Sequence, residues 1–160
     1  MSTILNTNGE NVEVPKFKEG LKGKFYIITA DWNPKITYAL RDGALRTLKK
    51  GGVREDDIIS IAVPGTVELV NVAAKAANQT DTLAVIIIGC VIRGDTPHFD
   101  YVCQIAAQGT AMINAQGKAP VVFGVLTVDN EQQAIDRAGG RLGNKGSEAG
   151  SVAITLANLS

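Results

Sequence analysis

The chain holds one histidine, His98, in the stretch Gly89-Cys90-Val91-Ile92-Arg93-Gly94-Asp95-Thr96-Pro97-His98-Phe99-Asp100. This stretch begins as the end of an apolar run and closes as the start of a helical pattern. Thr96 can cap a helix and Pro97 can occupy its first turn, which puts His98 at the helix N-terminus. The positive end of the helix dipole disfavours imidazolium there, and a neutral imidazole can accept a proton. Gly94-Asp95-Thr96 offers backbone N–H groups and a hydroxyl at the same helix end, the ingredients of an anion site. Each feature also has a plain reading, as a surface histidine and an ordinary N-cap. Arg93 either supplies charge to an anion or is a solvated side chain. Asp95 suits a phosphate only if its carboxylate points away.

Other residues with chemical potential stand after other apolar runs. Trp32, the only tryptophan, precedes Asn33-Pro34. It is either a packing residue or a flat platform for a heterocycle. Thr66 and Glu68 follow Pro64-Gly65. Glu68 in a first helical turn is favourable for stability alone, and it can also receive the hydroxyls of a polyol. Arg137, Arg141 and Lys145 surround Gly139-Gly140. They make a solvated basic face, or one of them is a counter-charge for a phosphate. There is no Walker A sequence and no G-x-G-x-x-G after the first strand. One histidine and two separated cysteines are poor zinc ligands. Bottom-up, the chemistry is that of a phosphate- and ring-binding site with one histidine as proton carrier.

The elements that must hold these residues follow from periodicity. Lys24 to Ala30 reads as a buried strand. Asn33 is placed to N-cap a helix, with Pro34 at its first position and Ile36, Ala39, Leu40, Gly43, Ala44, Thr47 and Leu48 on one stripe; Gly51-Gly52 ends it. Asp57 to Val63 is a second strand and Thr66 to Asn78 an alanine-rich helix. Leu83 to Gly89 is a third strand, apolar on both faces as parallel sheets require. Phe99, Val102, Cys103, Ala106, Thr110 and Ile113 mark one face of a long helix. Val121 to Thr127 is the fourth strand. Asp129 with Gln132 resembles a capping box for a short helix to Ala138. Gly139 to Asn144 reads as a loop, and a last helix turns Ala149, Val152, Ala153, Leu156 and Leu159 inward. Strand and helix alternating four times predicts an α/β fold: three layers, flavodoxin-like, a four-stranded parallel sheet with helices on both faces. In such sheets ligands bind at the carboxyl ends of the strands, where Trp32, Thr66, Glu68 and His98 all fall.

The 160 residues suffice for one such domain. Lys plus Arg, 16, equals Asp plus Glu, 16, which argues against a nucleic-acid footprint. The apolar run Leu83 to Ile88 is far too short to span a membrane. Cys90 and Cys103 read as buried thiols of a reducing compartment, and no signal peptide is visible, so the expected location is cytoplasmic. Residues 1–20 are weakly patterned. Asn11 to Val14 can form a short strand with nowhere of its own to be buried, either disordered or added to a sheet edge such as a neighbour's.

Taken together, the strand-end motifs resemble the 6,7-dimethyl-8-ribityllumazine synthase family. The matching segments are Asp31-Trp32-Asn33, Val63 to Leu69, Gly89 to Val102, Pro120 to Thr127, Gln133 to Gly139 and Gly143 to Ala149. The resemblance implies a transferase of riboflavin biosynthesis. It would condense 5-amino-6-(D-ribitylamino)uracil with 3,4-dihydroxy-2-butanone 4-phosphate through a Schiff base, phosphate elimination and ring closure, without metal or organic cofactor. It places the catalytic histidine at His98, the phosphate-binding pair at Asp95 and Thr96, and the phosphate-binding arginine at Arg137. The pyrimidine and ribityl chain would meet Trp32, Thr66, Val67 and Glu68, and the backbone of Cys90, Val91 and Ile92. Phe123 would come from an adjacent subunit. Asn33, Arg93, Lys145 and Glu148 are further site candidates. The rival is a non-catalytic flavin- or lumazine-binding assembly, which would need neither His98 nor Arg137. The resemblance further implies a homo-oligomer: a pentamer that can close into a sixty-subunit icosahedral capsid, favoured by the short Gly139–Asn144 loop, with riboflavin synthase as a further partner. Residues 1–20 would be an inter-subunit arm and 21–160 the domain. Two departures from the common pattern are Trp32, where many members have Phe, and Asp95, often Gly, Ala or Gln.

Overall fold

The structure, a computed structural model, describes residues 13–159. Its core is a four-stranded parallel sheet of β1 (Lys24–Ala30), β2 (Ile58–Val63), β3 (Thr82–Ile92) and β4 (Val121–Val128), in the order β2-β1-β3-β4. The helices between them are α1 (Pro34–Lys50), α2 (Glu68–Ala77) and α3 (His98–Ala115); α4 (Glu131–Arg137) and α5 (Lys145–Ala157) follow β4. This is the expected three-layer, flavodoxin-like α/β arrangement. β3 is the central strand and is buried from Leu83 to Cys90, since it carries apolar side chains toward both faces. Its even-numbered residues Ala84, Ile86 and Ile88 join Leu40, Leu48, Ala153 and Ile154 of α1 and α5. Its odd-numbered Val85 and Ile87 join Leu69, Ala73 and Ile113 of α2 and α3. Period-two alternation thus splits one strand between two cores.

Several boundaries differ from the periodicity reading, each for a local reason. β2 begins at Ile58, after a single 3₁₀ turn at Glu55–Asp57. α2 begins at Glu68, because Thr66 and Val67 form the turn that leads into it. β3 runs past Gly89 to Ile92, because β4 accompanies it to the register pair Ile92–Val128. Thr96 does not cap α3: Pro97 stands at the cap position and no side chain caps the helix. The cap of α4 lies one residue beyond Asp129, with Asn130 accepting from the Gln133 N–H and Gln133 Oε1 accepting from the Asp129 N–H. The Gly139–Asn144 segment is a small hairpin of β5 (Ala138–Gly140) and β6 (Gly143–Asn144). α5 stops at Ala157, which leaves Leu159 exposed rather than inward. α5 packs very closely on α1, where Gly146 lies against the Leu40 backbone with no room for a β-carbon.

Half of the strand expected over Asn11 to Val14, Asn11 and Val12, lies outside the described residues. From Glu13 to Gly23 the chain forms no helix or strand and is tied to its own fold. Val14, Phe17 and Leu21 pack against the α1/α5 core, with the Phe17 ring edge-on to Phe25 at 5.5 Å. Asn158 holds the segment by accepting from the Lys18 N–H and donating to the Lys16 carbonyl.

Candidate active site

A cleft of about 430 Å³ opens at the carboxyl ends of the strands. It is lined by the β1–α1 turn (Trp32, Asn33), the β2–α2 turn (Gly65 to Glu68), the end of β3 (Cys90 to Ile92), and Gly94, Thr96, His98, Phe99 and Val102. Three sequence segments far apart in the chain therefore meet in one place. The topology explains it. β1 and β3 are adjacent and β2 flanks β1, so the turns that leave these three strands converge at one end of the sheet.

Each wall has a physical reason for its shape. Asp31 and Trp32 donate their N–H groups to the carbonyls of Val63 and Pro64, which ties the β1 turn to the β2 turn. The Tyr38 hydroxyl donates to Asp31 at 2.7 Å, and that bond raises the phenol above its ordinary pKa. Trp32 is 74% exposed, so it is not a core residue. Asn33 lies at the cap position of α1, but its side chain does not cap; it donates to the Cys90 carbonyl at 2.9 Å. Thr66 is buried and sits against Gly89, where a β-carbon would come within 2.9 Å of its hydroxyl oxygen. The Glu68 carboxylate folds back toward Gly65, within 3.0 Å of where a β-carbon there would stand.

The loop after β3 alternates. Gly94, Thr96 and His98 line the cleft, whereas Arg93, Asp95 and Pro97 do not. The exposed Asp95 is therefore off the cleft wall, which answers the objection its carboxylate raised against an anion at this loop. Arg93 is tied to neighbouring elements. Its Nε donates to Asp129 at 3.1 Å and its Nη1 to Asp100 at 3.4 Å, and its guanidinium lies 4.1 Å from the Phe99 ring centroid. It pins this loop to the end of β4 and the start of α3. His98 is the first residue of α3 and is exposed.

The remaining candidates lie elsewhere in this chain. Phe123 is half-buried in β4 and packs with the α2/α3 core. Arg137 ends α4 and donates to the Gln133 carbonyl. Lys145 and Glu148 form an ion pair at 2.7 Å in the first turn of α5, with side chains only 12% and 18% exposed. Arg141 pairs with the buried Asp136 at 2.8 Å. Of the three basic residues around Gly139-Gly140, Arg137 alone has no carboxylate partner among the described residues.

The cleft also uses Gly65, Phe99 and Val102, which the sequence reading had not assigned to the site, and Gly94, which it had placed in the anion-binding turn. Phe99 and Val102 carried a detectable signal: they lie one and four positions after His98, on the same side of a helix. Both cysteines are free, and burial pushes the Cys90 thiol up to about 12, which disfavours its thiolate near neutral pH. Among the described residues no group of three or more His, Cys, Asp or Glu side chains is placed to hold a metal ion.

Comparison with known proteins places the chain in a family. A model of the 6,7-dimethyl-8-ribityllumazine synthase family matches residues 22–160. The chain is 52% identical to the 6,7-dimethyl-8-ribityllumazine synthase of Bacteroides fragilis over 133 residues, 83% of this chain and 93% of that protein. It is 52% identical to that of Porphyromonas gingivalis over 83% of both chains. With the enzyme of Cytophaga hutchinsonii it shares 42% identity over 151 residues, 94% of this chain and 93% of the relative. From the cleft at the strand ends to the matches that span it, the chain belongs to the 6,7-dimethyl-8-ribityllumazine synthase family.

Proposed function

We propose that the cleft carries out the condensation that defines the family, and that a second copy of the chain completes it. The protein is a transferase of riboflavin biosynthesis. It joins 5-amino-6-(D-ribitylamino)uracil to 3,4-dihydroxy-2-butanone 4-phosphate and releases phosphate and water. Family membership favours this reading over a non-catalytic binder. The observation that carries the assignment to this cleft is its lining, in which an exposed indole, a polar Thr66–Glu68 turn, a strand-end backbone and His98 face one space. Its volume suits a heterocycle with a polyol tail.

In this reading Trp32 stacks on the pyrimidine, and Thr66, Val67, Glu68 and the backbone of Cys90 to Ile92 take the pyrimidine edge and ribityl hydroxyls. Thr96 and the N–H groups beside it take the phosphate. His98 moves protons between the two substrates. The reaction needs little more, because holding two reactants in register supplies much of the acceleration. Phe123 and Arg137 do not line the cleft of their own chain, and we assign them to the cleft of a neighbour. The guanidinium of Arg137, which has no carboxylate partner among the described residues, suits the phosphate dianion.

An assembly is supported by a second feature. Tyr101, Ile105 and Met112 are exposed on α3 at spacings of four and seven, an apolar stripe left uncovered by the described residues. A pentamer, closing into the capsid, is the proposed form, with riboflavin synthase as the consumer of the lumazine product. The cytoplasm is the proposed location, consistent with two free thiols. The test is to mix the protein with both substrates and follow lumazine absorbance and fluorescence. Product should form. Its absence, under conditions where the Bacteroides fragilis enzyme works, would overturn the proposal.

A further inference from the structure

We infer that Asn33 is a positioning residue that sets the pose of Trp32 over the cleft; this rests on the reading of Trp32 as the stacking platform. Among the described residues Asn33 is the only non-glycine with a left-handed backbone, at φ 62° and ψ 55°. That region is hindered for most side chains and tolerated best by glycine and asparagine. The turn needs it. β1 ends at Ala30, and within four residues the chain must reverse into α1, whose first amides, Ile36 and Thr37, donate to the Asn33 carbonyl.

The side chain adds a second restraint. β1 and β3 stay in register only as far as Thr29 and Ile88. Two residues on, the Cys90 carbonyl is taken by Asn33 Nδ2 at 2.9 Å. An amide side chain thus stands in for the departed strand and fastens the turn to the cleft floor. With the Trp32 N–H on the Pro64 carbonyl and Asp31 held by Tyr38, the backbone of Trp32 is fixed on both sides. Its indole is left in water at the cleft rim. A tryptophan so exposed has no core to orient it, and its direction comes from the turn that carries it.

Three variants separate the two restraints. Asn33→Gly keeps the left-handed backbone and loses the amide. Asn33→Asp keeps the shape and sets a carboxylate against a carbonyl. Asn33→Ala loses both advantages. Trp32 is the only tryptophan, so fluorescence anisotropy and acrylamide quenching of the assembled, ligand-free protein report on this residue alone. Anisotropy should fall and quenching should rise in all three, least in Asn33→Gly. The apparent KM for the pyrimidine should rise about tenfold in Asn33→Ala, the size of one lost good contact. The KM for the butanone phosphate should stay within about twofold. A purely structural role would instead lower the active fraction and leave both KM values alone. If Asn33→Ala does not fold, Asn33→Gly carries the test. Parent-like anisotropy and quenching in the folded variants would overturn the inference. A changed Trp32 signal with an unchanged pyrimidine KM would uphold the positioning role and refute Trp32 as the platform.

Discussion

His98 enters this site as an exposed imidazole on the first turn of α3, facing the same space as Trp32 and Thr66. Among the described residues no carboxylate hydrogen-bonds to it, so the proton transfer proposed for it lies at the low end of general acid–base catalysis. His98→Ala should lower kcat by about 10²-fold and leave measurable turnover, seen as slow lumazine formation. Arg137→Ala should raise the KM for the butanone phosphate by roughly tenfold or more, the loss of a charge-assisted hydrogen bond. The pyrimidine KM should change little. Asp136 carries a pH signature. Hydrogen bonds from Gln132 and then Arg141 hold its carboxyl below the ordinary aspartate range. A depressed native pKa means stability that is present above the unfolded value and lost as pH falls below about 4. Urea midpoints measured between neutral pH and pH 3 should fall more steeply in the parent protein than in Asp136→Asn. The clustering of Trp32, Thr66, Glu68 and His98 was legible in the sequence because they sit where strands end. The work of Asn33 was not, because a left-handed φ and a bond to a carbonyl 57 positions away leave no local pattern.

At the level of elements, the cleft depends on how closely α2 approaches β3. Gly89 faces Thr66 and Leu69, and a β-carbon there would lie 2.9 Å from the Thr66 hydroxyl oxygen and 3.1 Å from a Leu69 methyl. Gly89→Ala should cost about 1–3 kcal/mol as an overpacked contact, read by chemical denaturation. It should also weaken pyrimidine binding, since Thr66 is the group that must give way. The loop after β3 depends on Arg93, but its ion pairs are solvent-exposed and each is worth little. Arg93→Ala should leave stability within about 1 kcal/mol of the parent and act on the KM for the butanone phosphate instead. Periodicity found every long element, because one or both faces of each are buried. It missed ends by one to three residues where local bonding overrides pattern. β4 carries β3 three residues past Gly89, and the α4 cap moved to Asn130 because its side chain reaches the Gln133 amide.

For the whole molecule, a single chain provides the wall proposed to hold the heterocycle and leaves Phe123 and Arg137 outside it. The exposed stripe of Tyr101, Ile105 and Met112 gives α3 an apolar face to bury against another copy. Met112→Glu should shift sedimentation toward smaller species and lower specific activity with it. Such sharing is invisible to composition and periodicity, which describe one chain; only the resemblance pointed to it. The central claim, one reaction site built from two copies, is tested by co-expressing His98→Ala with Arg137→Ala and measuring lumazine formation by the purified mixed assemblies. If the cleft of one subunit takes its arginine from the next, random mixing in a ring restores about one quarter of the sites to full composition. Activity should then rise well above that of either variant alone, toward about one quarter of the parent's. Activity equal to the average of the two separate variants would place both residues in one chain's site and contradict the account.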